Sequence, residues 1–307
     1  MDHYHHHHQA PVLRKVTNAF IVGIALNLAY VVVQVGIGLK IKSLSLLSDA
    51  GHNFLDVAAL ALSLLAFKLT QKPSSHNYTY GYKKSSILIS LFNAVILLVS
   101  IGAIIYESIH RFQNPRPLPG MTIAIVALIG TVLNGLSALL FFKDKEHDLN
   151  IKSAFLHLFA DTLLSLGLVG GGIVIYYTHL YWIDPLLSVV ICLIIIYSTW
   201  DLLKDSLRLS LDGIPDHITI ASISQIIDCI DGVKSIHHIH VWALSTTENA
   251  MTAHIVVTPT LTNEKISQLK KRIRHELEHI NIQHVTLEIE IENEVCSTRD
   301  CNTFNSL

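Results

Sequence analysis

Half of the 307 residues are hydrophobic and only 15% are charged, a balance that excludes both an ordinary soluble protein and a disordered chain. A formal net charge of −2, with no basic patch, excludes nucleic acid as a partner. Cys192, Cys229, Cys296 and Cys301 make no disulfide framework, and no secretory cleavage signature follows the first apolar run, so the C-terminal part is expected to be cytosolic and reduced.

In chain order, residues 1–16 form a His-rich tail, and six apolar stretches follow at about 17–39, 45–69, 84–110, 120–142, 152–177 and 182–204. Each reaches the roughly 20 residues a helix needs to cross about 30 Å of hydrocarbon. Lys40 and Lys42, Lys72-Pro73-Ser74-Ser75, Asn114-Pro115-Arg116-Pro117 and Lys143-Asp144-Lys145-Glu146 punctuate them, and Tyr181, Trp182 and Asp184-Pro185 mark an interfacial belt and a helix start. With both termini inside, the cytoplasm receives Arg14, Lys15, Lys68, Lys72, Lys83, Lys84, Lys143, Lys145, Lys152, Lys204 and Arg208. The outside receives only Lys40, Lys42, Arg111 and Arg116. Residues 17–208 are therefore expected to be an all-α six-helix transmembrane bundle, multi-pass with cytoplasmic termini, in a membrane such as the bacterial inner membrane.

Beyond residue 208 the period changes. A helix (Thr219 to Ile230), two strands (Val233 to Leu244, Met251 to Thr258), a second helix (Glu264 to Ile280) and a third strand (His284 to Ile291) are expected. In the third strand Val285, Leu287, Ile289 and Ile291 share a face. This αββαβ order over 209–292 fits a small α+β cytoplasmic domain with its helices on one face of a mixed sheet, and 293–307 remain as a polar tail.

The chemistry lies in the apolar spans. The second reads Ser48-Asp49-Ala50-Gly51-His52-Asn53-Phe54-Leu55-Asp56, and the fifth Ser153-Ala154-Phe155-Leu156-His157-Leu158-Phe159-Ala160-Asp161. In each, His precedes Asp by four residues, which stacks imidazole and carboxylate on one helix face. Two such faces supply a tetrahedral His₂Asp₂ set suited to Zn²⁺, with Cd²⁺ and Co²⁺ as competitors. A carboxylate at the centre of a bilayer costs roughly 2.5–3.5 kcal/mol on insertion scales, so two of them paired with imidazoles point to an ion. Hydrogen bonding of each His to its own Asp, as a packing device alone, is the plainer alternative. Asp49, one turn before Asn53 and two before Asp56, either lines the access route or caps the helix at the membrane surface.

These stretches, with Tyr80-Gly81-Tyr82-Lys83, Asp184-Pro185-Leu186-Leu187-Ser188 and His238-Ile239-His240-Val241-Trp242, make the chain resemble the cation diffusion facilitators over about 17–291. Within that family it is similar to the zinc-transporter branch. The resemblance implies zinc efflux in exchange for protons, a homodimer, and a ferredoxin-like cytoplasmic domain that binds regulatory metal. Proton exchange has a physical basis, because imidazole must be neutral and carboxylate ionised to hold zinc, so protons compete for the same atoms. One departure is Tyr82, where many relatives carry His after the Gly. A loop metal site on His76 is thus set against a plain solvated histidine.

Other histidines stand outside the spans. The run Asp2-His3-Tyr4-His5-His6-His7-His8-Gln9 is either a native metal-collecting tail or a tag, without a packed core in both cases. His238 and His240 alternate on the first cytoplasmic strand, His254 lies on the second and His284 opens the third. The family supports metal at His240 and His284, and ordinary surface or core histidines are the alternative. Cys296 and Cys301 are either added thiolates or idle cysteines. No His-Glu-x-x-His stretch is present and all four intramembrane donors are used as ligands, so an enzyme is not expected. No cofactor is required; zinc enters as transported substrate and as a regulatory ligand. A membrane-bound metal sensor or storage protein without transport is the alternative function, and manganese or iron the alternative cargo, disfavoured by two histidines.

Overall fold

The computed structural model describes residues 9–40, 44–113, 120–146, 148–178, 180 and 182–292. They divide into one unit that ends at Ser206 and a second that begins at Leu207.

The first unit consists of long helices: α1 (Gln9–Lys40), α2 (Leu44–Thr70), α3 (Ser85–Gln113), α4 (Gly120–Phe141), α5 (Leu149–Thr178) and α6 (Ile183–Ser210), which runs into the second unit. Among the described residues, five stretches are long and apolar enough to cross a membrane: Thr17–Ile37, Asn53–Thr70, Ser85–Gln113, Ala124–Phe141 and Leu149–Thr178. α1 begins at Gln9, inside the segment expected to be a tail of 16 residues.

The burial pattern is that of a protein whose solvent is lipid. Val32, Val33, Val99, Leu139 and Tyr197 are exposed, whereas Asn27, Gln34, Asn53, Asn93, Asn134 and Ser137 are buried. Apolar side chains gain little by leaving a hydrocarbon solvent, so polar contacts and close packing hold the helices together. Gln34 of α1 accepts from Asn53 of α2 at 2.8 Å, Asn27 of α1 donates to Ser137 of α4 at 3.4 Å, and Asn93 of α3 donates to Ser63 of α2 at 2.8 Å. α4 comes close to α1 at Gly130, where a Cβ would lie 2.7 Å from the Tyr30 hydroxyl. Phe20 and Phe141 stack tilted at 4.8 Å within a cluster that includes Leu60 and Leu158.

The second unit runs α7 (Ile220–Asp228), β1 (Val233–Ala243), β2 (Asn249–Val257), α8 (Asn263–His279) and β3 (Ile282–Ile291). Thr219 caps α7 in a reciprocal box with Ser222, and Thr262 caps α8 by accepting from Lys265 N–H. β1 pairs antiparallel with β2, and β2 pairs parallel with β3, giving a small mixed sheet in the order β1-β2-β3. One face carries the core: Val241, Ala253, Ile255 and Val257 of the strands meet Ile223 and Ile227 of α7 and Ile273 and Leu277 of α8. Val285, Leu287 and Ile289 pack onto this core from β3. The other face is covered by neither α7 nor α8, and its histidines and glutamates are described below.

Candidate metal centre

In α5 the i, i+4 spacing puts His157 and Asp161 on one helix face. Asp56 of α2 meets His157 and Asp161 of α5, with one donor atom from each lying within 4.8 Å of the others. All three side chains are buried, at 1%, 4% and 6% exposure, inside helices apolar enough to span a bilayer. Nε2 of His157 stands 2.5 Å from Oδ1 of Asp56, so a proton joins the two groups. Two donors each about 2.0–2.1 Å from a tetrahedral zinc are separated by about 3.3 Å. Exchange of that proton for a cation therefore needs the two donors to move apart by about 0.8 Å. The fourth expected ligand, His52, lies on α2 four residues before Asp56; its side chain, like that of Asp49, lies outside the described residues.

The uncovered face of the cytoplasmic sheet gathers a second group. His237 of β1, His254 of β2 and Glu290 of β3 each offer a donor atom within 4.8 Å of the others. Nδ1 of His254 lies 2.6 Å from Oε1 of Glu290, Nε2 of His237 lies 3.3 Å from Oε2 of the same carboxylate, and Nε2 of His254 lies 3.4 Å from Glu288. Register explains the meeting: His237 pairs with His254, His254 with Glu288, and Val256 with Glu290, so Glu290 reaches His254 along a diagonal. Neither His237 nor Glu290 was singled out from the sequence, which placed interest on His238 and His240. A bulge between His237 and His240, with His238 at φ 53° in the left-handed region, resets the alternation there. The alternation of Glu288, Ile289 and Glu290 was the one available signal, since it marks a face with acids on it.

The remaining histidines are dispersed. The His238 ring stands 4.7 Å from that of His240 and 4.8 Å from that of His254, at the edge of the sheet-face group. His240 is exposed and lines an open cavity of about 390 Å³ with Asp212 and Trp242. His284 sits 3.8 Å from Glu248 and joins no group of three donors among the described residues. His76 is exposed in the loop after α2 and joins none either. The N-terminal histidine run up to His8, Cys296 and Cys301 lie outside the described residues.

Comparison with known proteins places the chain in a family. The cation efflux transmembrane domain matches residues 20–209, and the cytoplasmic domain of cation efflux proteins matches residues 215–292. The chain is 34% identical over 289 residues to the cadmium, cobalt and zinc/H(+)-K(+) antiporter of Bacillus subtilis, covering 94% of this chain and 92% of that protein. It is 34% identical over 303 residues to the zinc transporter ZitB of Escherichia coli, covering 97% and 95%. It is 33% identical over 270 residues to the metal cation efflux system protein CzcD of Cupriavidus metallidurans, covering 88% and 85%. With its membrane helices, its small cytoplasmic sheet domain and these matches along nearly its whole length, the chain belongs to the cation efflux family.

Proposed function

We propose that this protein exports zinc from the cytoplasm in exchange for protons, with cadmium and cobalt as further cargo. The carrying observation is the meeting of Asp56, His157 and Asp161 at buried positions on two membrane helices. An imidazole and two carboxylates form a nitrogen and oxygen donor set suited to zinc, and His52 completes it to four. α6 is the sixth membrane span, and both termini lie in the cytoplasm. Two copies pair through the cytoplasmic domain, which is of ferredoxin-like type. Its His237, His254 and Glu290 hold a regulatory zinc, with Glu288 beside them.

Competition between protons and the cation at His157 and Asp56 couples the exchange, and the proton gradient gives it its direction. On the acidic side of a membrane both groups gain protons and release the cation; on the cytoplasmic side they lose protons and reload. Cargo leaves against its own gradient as long as protons enter. A sensor or storage protein would bind the same ion at the same place without moving it. The deciding experiment is zinc movement across sealed vesicles that contain the purified intact chain. An imposed pH gradient drives zinc toward the acidic compartment if the protein is an antiporter, and binding without pH-driven movement refutes the proposal.

A further inference from the structure

A second buried polar feature lies beside the triad on α3, a helix that contributes none of the expected ligands. Ser86, Ser90 and Asn93 follow one face of α3 at helical spacing, and all are buried, at 1%, 0% and 3% exposure. Ser90 meets Ser206 of α6 at 3.0 Å. Asn93 Nδ2 donates to Ser63 Oγ of α2 at 2.8 Å and to the Ala59 carbonyl at 3.3 Å, and Ser63 in turn donates to that carbonyl at 3.1 Å. A backbone carbonyl only accepts, so the atom facing Ala59 must be the amide nitrogen and the orientation of Asn93 is settled. Its Oδ1 is buried and has no hydrogen-bond partner among the described residues.

An acceptor buried in an apolar bundle is costly to leave unpaired, which makes it a marker for something that visits. Its place narrows the visitor. Ala59 is three residues after Asp56, about 4.5 Å along the helix, so Asn93 stands one turn from the carboxylate. Ser90 and Ser86 continue toward the start of α3, where the loop from α2 arrives. Polar side chains thus lead from that end of the bundle to Asp56, and the last of them presents a bare carbonyl oxygen. The species that needs such an oxygen on the way to a carboxylate is a hydrated divalent cation, whose bound waters are strong donors.

We propose that Asn93 is a positioning residue on the cytoplasmic approach to the metal centre, its Oδ1 holding the hydrated cation one turn short of Asp56. This rests on the transport reading above. Asn93 acts on the rate of loading and contributes no ligand to the final site.

The test compares Asn93→Leu, which removes the acceptor at similar volume, with Asn93→Asp, which restores an oxygen. Zinc binding to the full chain is measured by calorimetry, and zinc flux in vesicles. Loss of a hydrogen bond to a charged species predicts an initial flux lowered about tenfold or more in Asn93→Leu, with equilibrium affinity within about threefold and much of the flux regained in Asn93→Asp. In addition, Ser90→Cys in a background with Cys192, Cys229, Cys296 and Cys301 all replaced by Ala is expected to react with a cationic thiosulfonate reagent from the loading side and to be protected by zinc; a thiol that zinc does not protect counts against the route. Flux through Asn93→Leu within about twofold of the intact chain overturns the proposal, as does a parallel loss of affinity and flux that Asn93→Asp fails to rescue. Absence of zinc movement in the intact chain would sink the transport reading itself; normal movement with an indifferent Asn93→Leu sinks only the approach route.

Discussion

The two groups of potential metal donors in this chain are built by different geometry. In the membrane, Asp56 comes from one helix and His157 and Asp161 from another, whose i, i+4 spacing sets that pair of side chains on one face before any neighbour is present. In the cytoplasmic domain, His237, His254 and Glu290 come from three strands and meet only after two registers have been chosen, one antiparallel and one parallel. The burial differs in step. The helical group is at most 6% exposed, whereas the sheet group lies on a face that α7 and α8 leave uncovered, with the His237 side chain 24% exposed. A deeply buried carboxylate is tolerated only with a proton or a cation beside it, which suits a site that must exchange one for the other. The sheet group is less deeply buried, with side chains 11–24% exposed, so it loses less when empty.

This contrast can be broken by mutation. The largest effect is expected from Asp161→Ala, which removes one of the buried donors: zinc flux in vesicles should fall by about a hundredfold or more, consistent with the loss of a charged ligand in a dry site. Zinc binding by the cytoplasmic domain in the same variant should be unchanged, and calorimetry of the full chain can separate the two. Undiminished flux would remove Asp161 from the site. Next comes Glu290→Ala, which deprives both His237 and His254 of their shared carboxylate. Affinity at the cytoplasmic site should drop about tenfold to a hundredfold, in line with the loss of a ligand or orienting partner, while flux at saturating zinc persists. If flux vanished along with binding, the division of labour between the two groups would be wrong.

A packing change sharpens the same point. Ile273→Ala in α8 removes a fully buried side chain from the cytoplasmic core, so the domain should lose about 2–5 kcal/mol on chemical unfolding and the sheet-face group should weaken with it. The smallest effect belongs to the tail: deletion of residues 2–9 should leave the maximal transport rate intact and alter only the rate at low zinc. A reduced maximal rate would show that the segment does more than concentrate metal.

The membrane triad was readable from the linear chain because a helix is a local structure. Its period is fixed by hydrogen bonds four residues apart, so His157 and Asp161 share a face whatever else the fold does. Long apolar runs announced the helices, and the alternation of Val285, Leu287, Ile289 and Ile291 announced a strand, of which the first three pack partly buried on the core while Ile291 is exposed. The sheet-face group was less legible. Uninterrupted alternation along His238, Ile239 and His240 points to His254 but not to His237, and the bulge at His238 breaks that alternation. Glu290 was passed over because its importance depends on which strand lies next to β3, a matter settled by a parallel pairing across the intervening α8.

What the sequence determined unaided is therefore what a single helix or strand can state about itself: which segments are long and apolar, which side chains share a face, and which residue types bind metal. What the tertiary structure decided is partnership: that Asp56 bonds His157 across helices, that Asn93 turns its carbonyl away from Ala59, and that Glu290 serves two histidines at once. The physical reason is that local geometry repeats with a known period, while contacts between elements depend on register, packing and bulges that no period encodes.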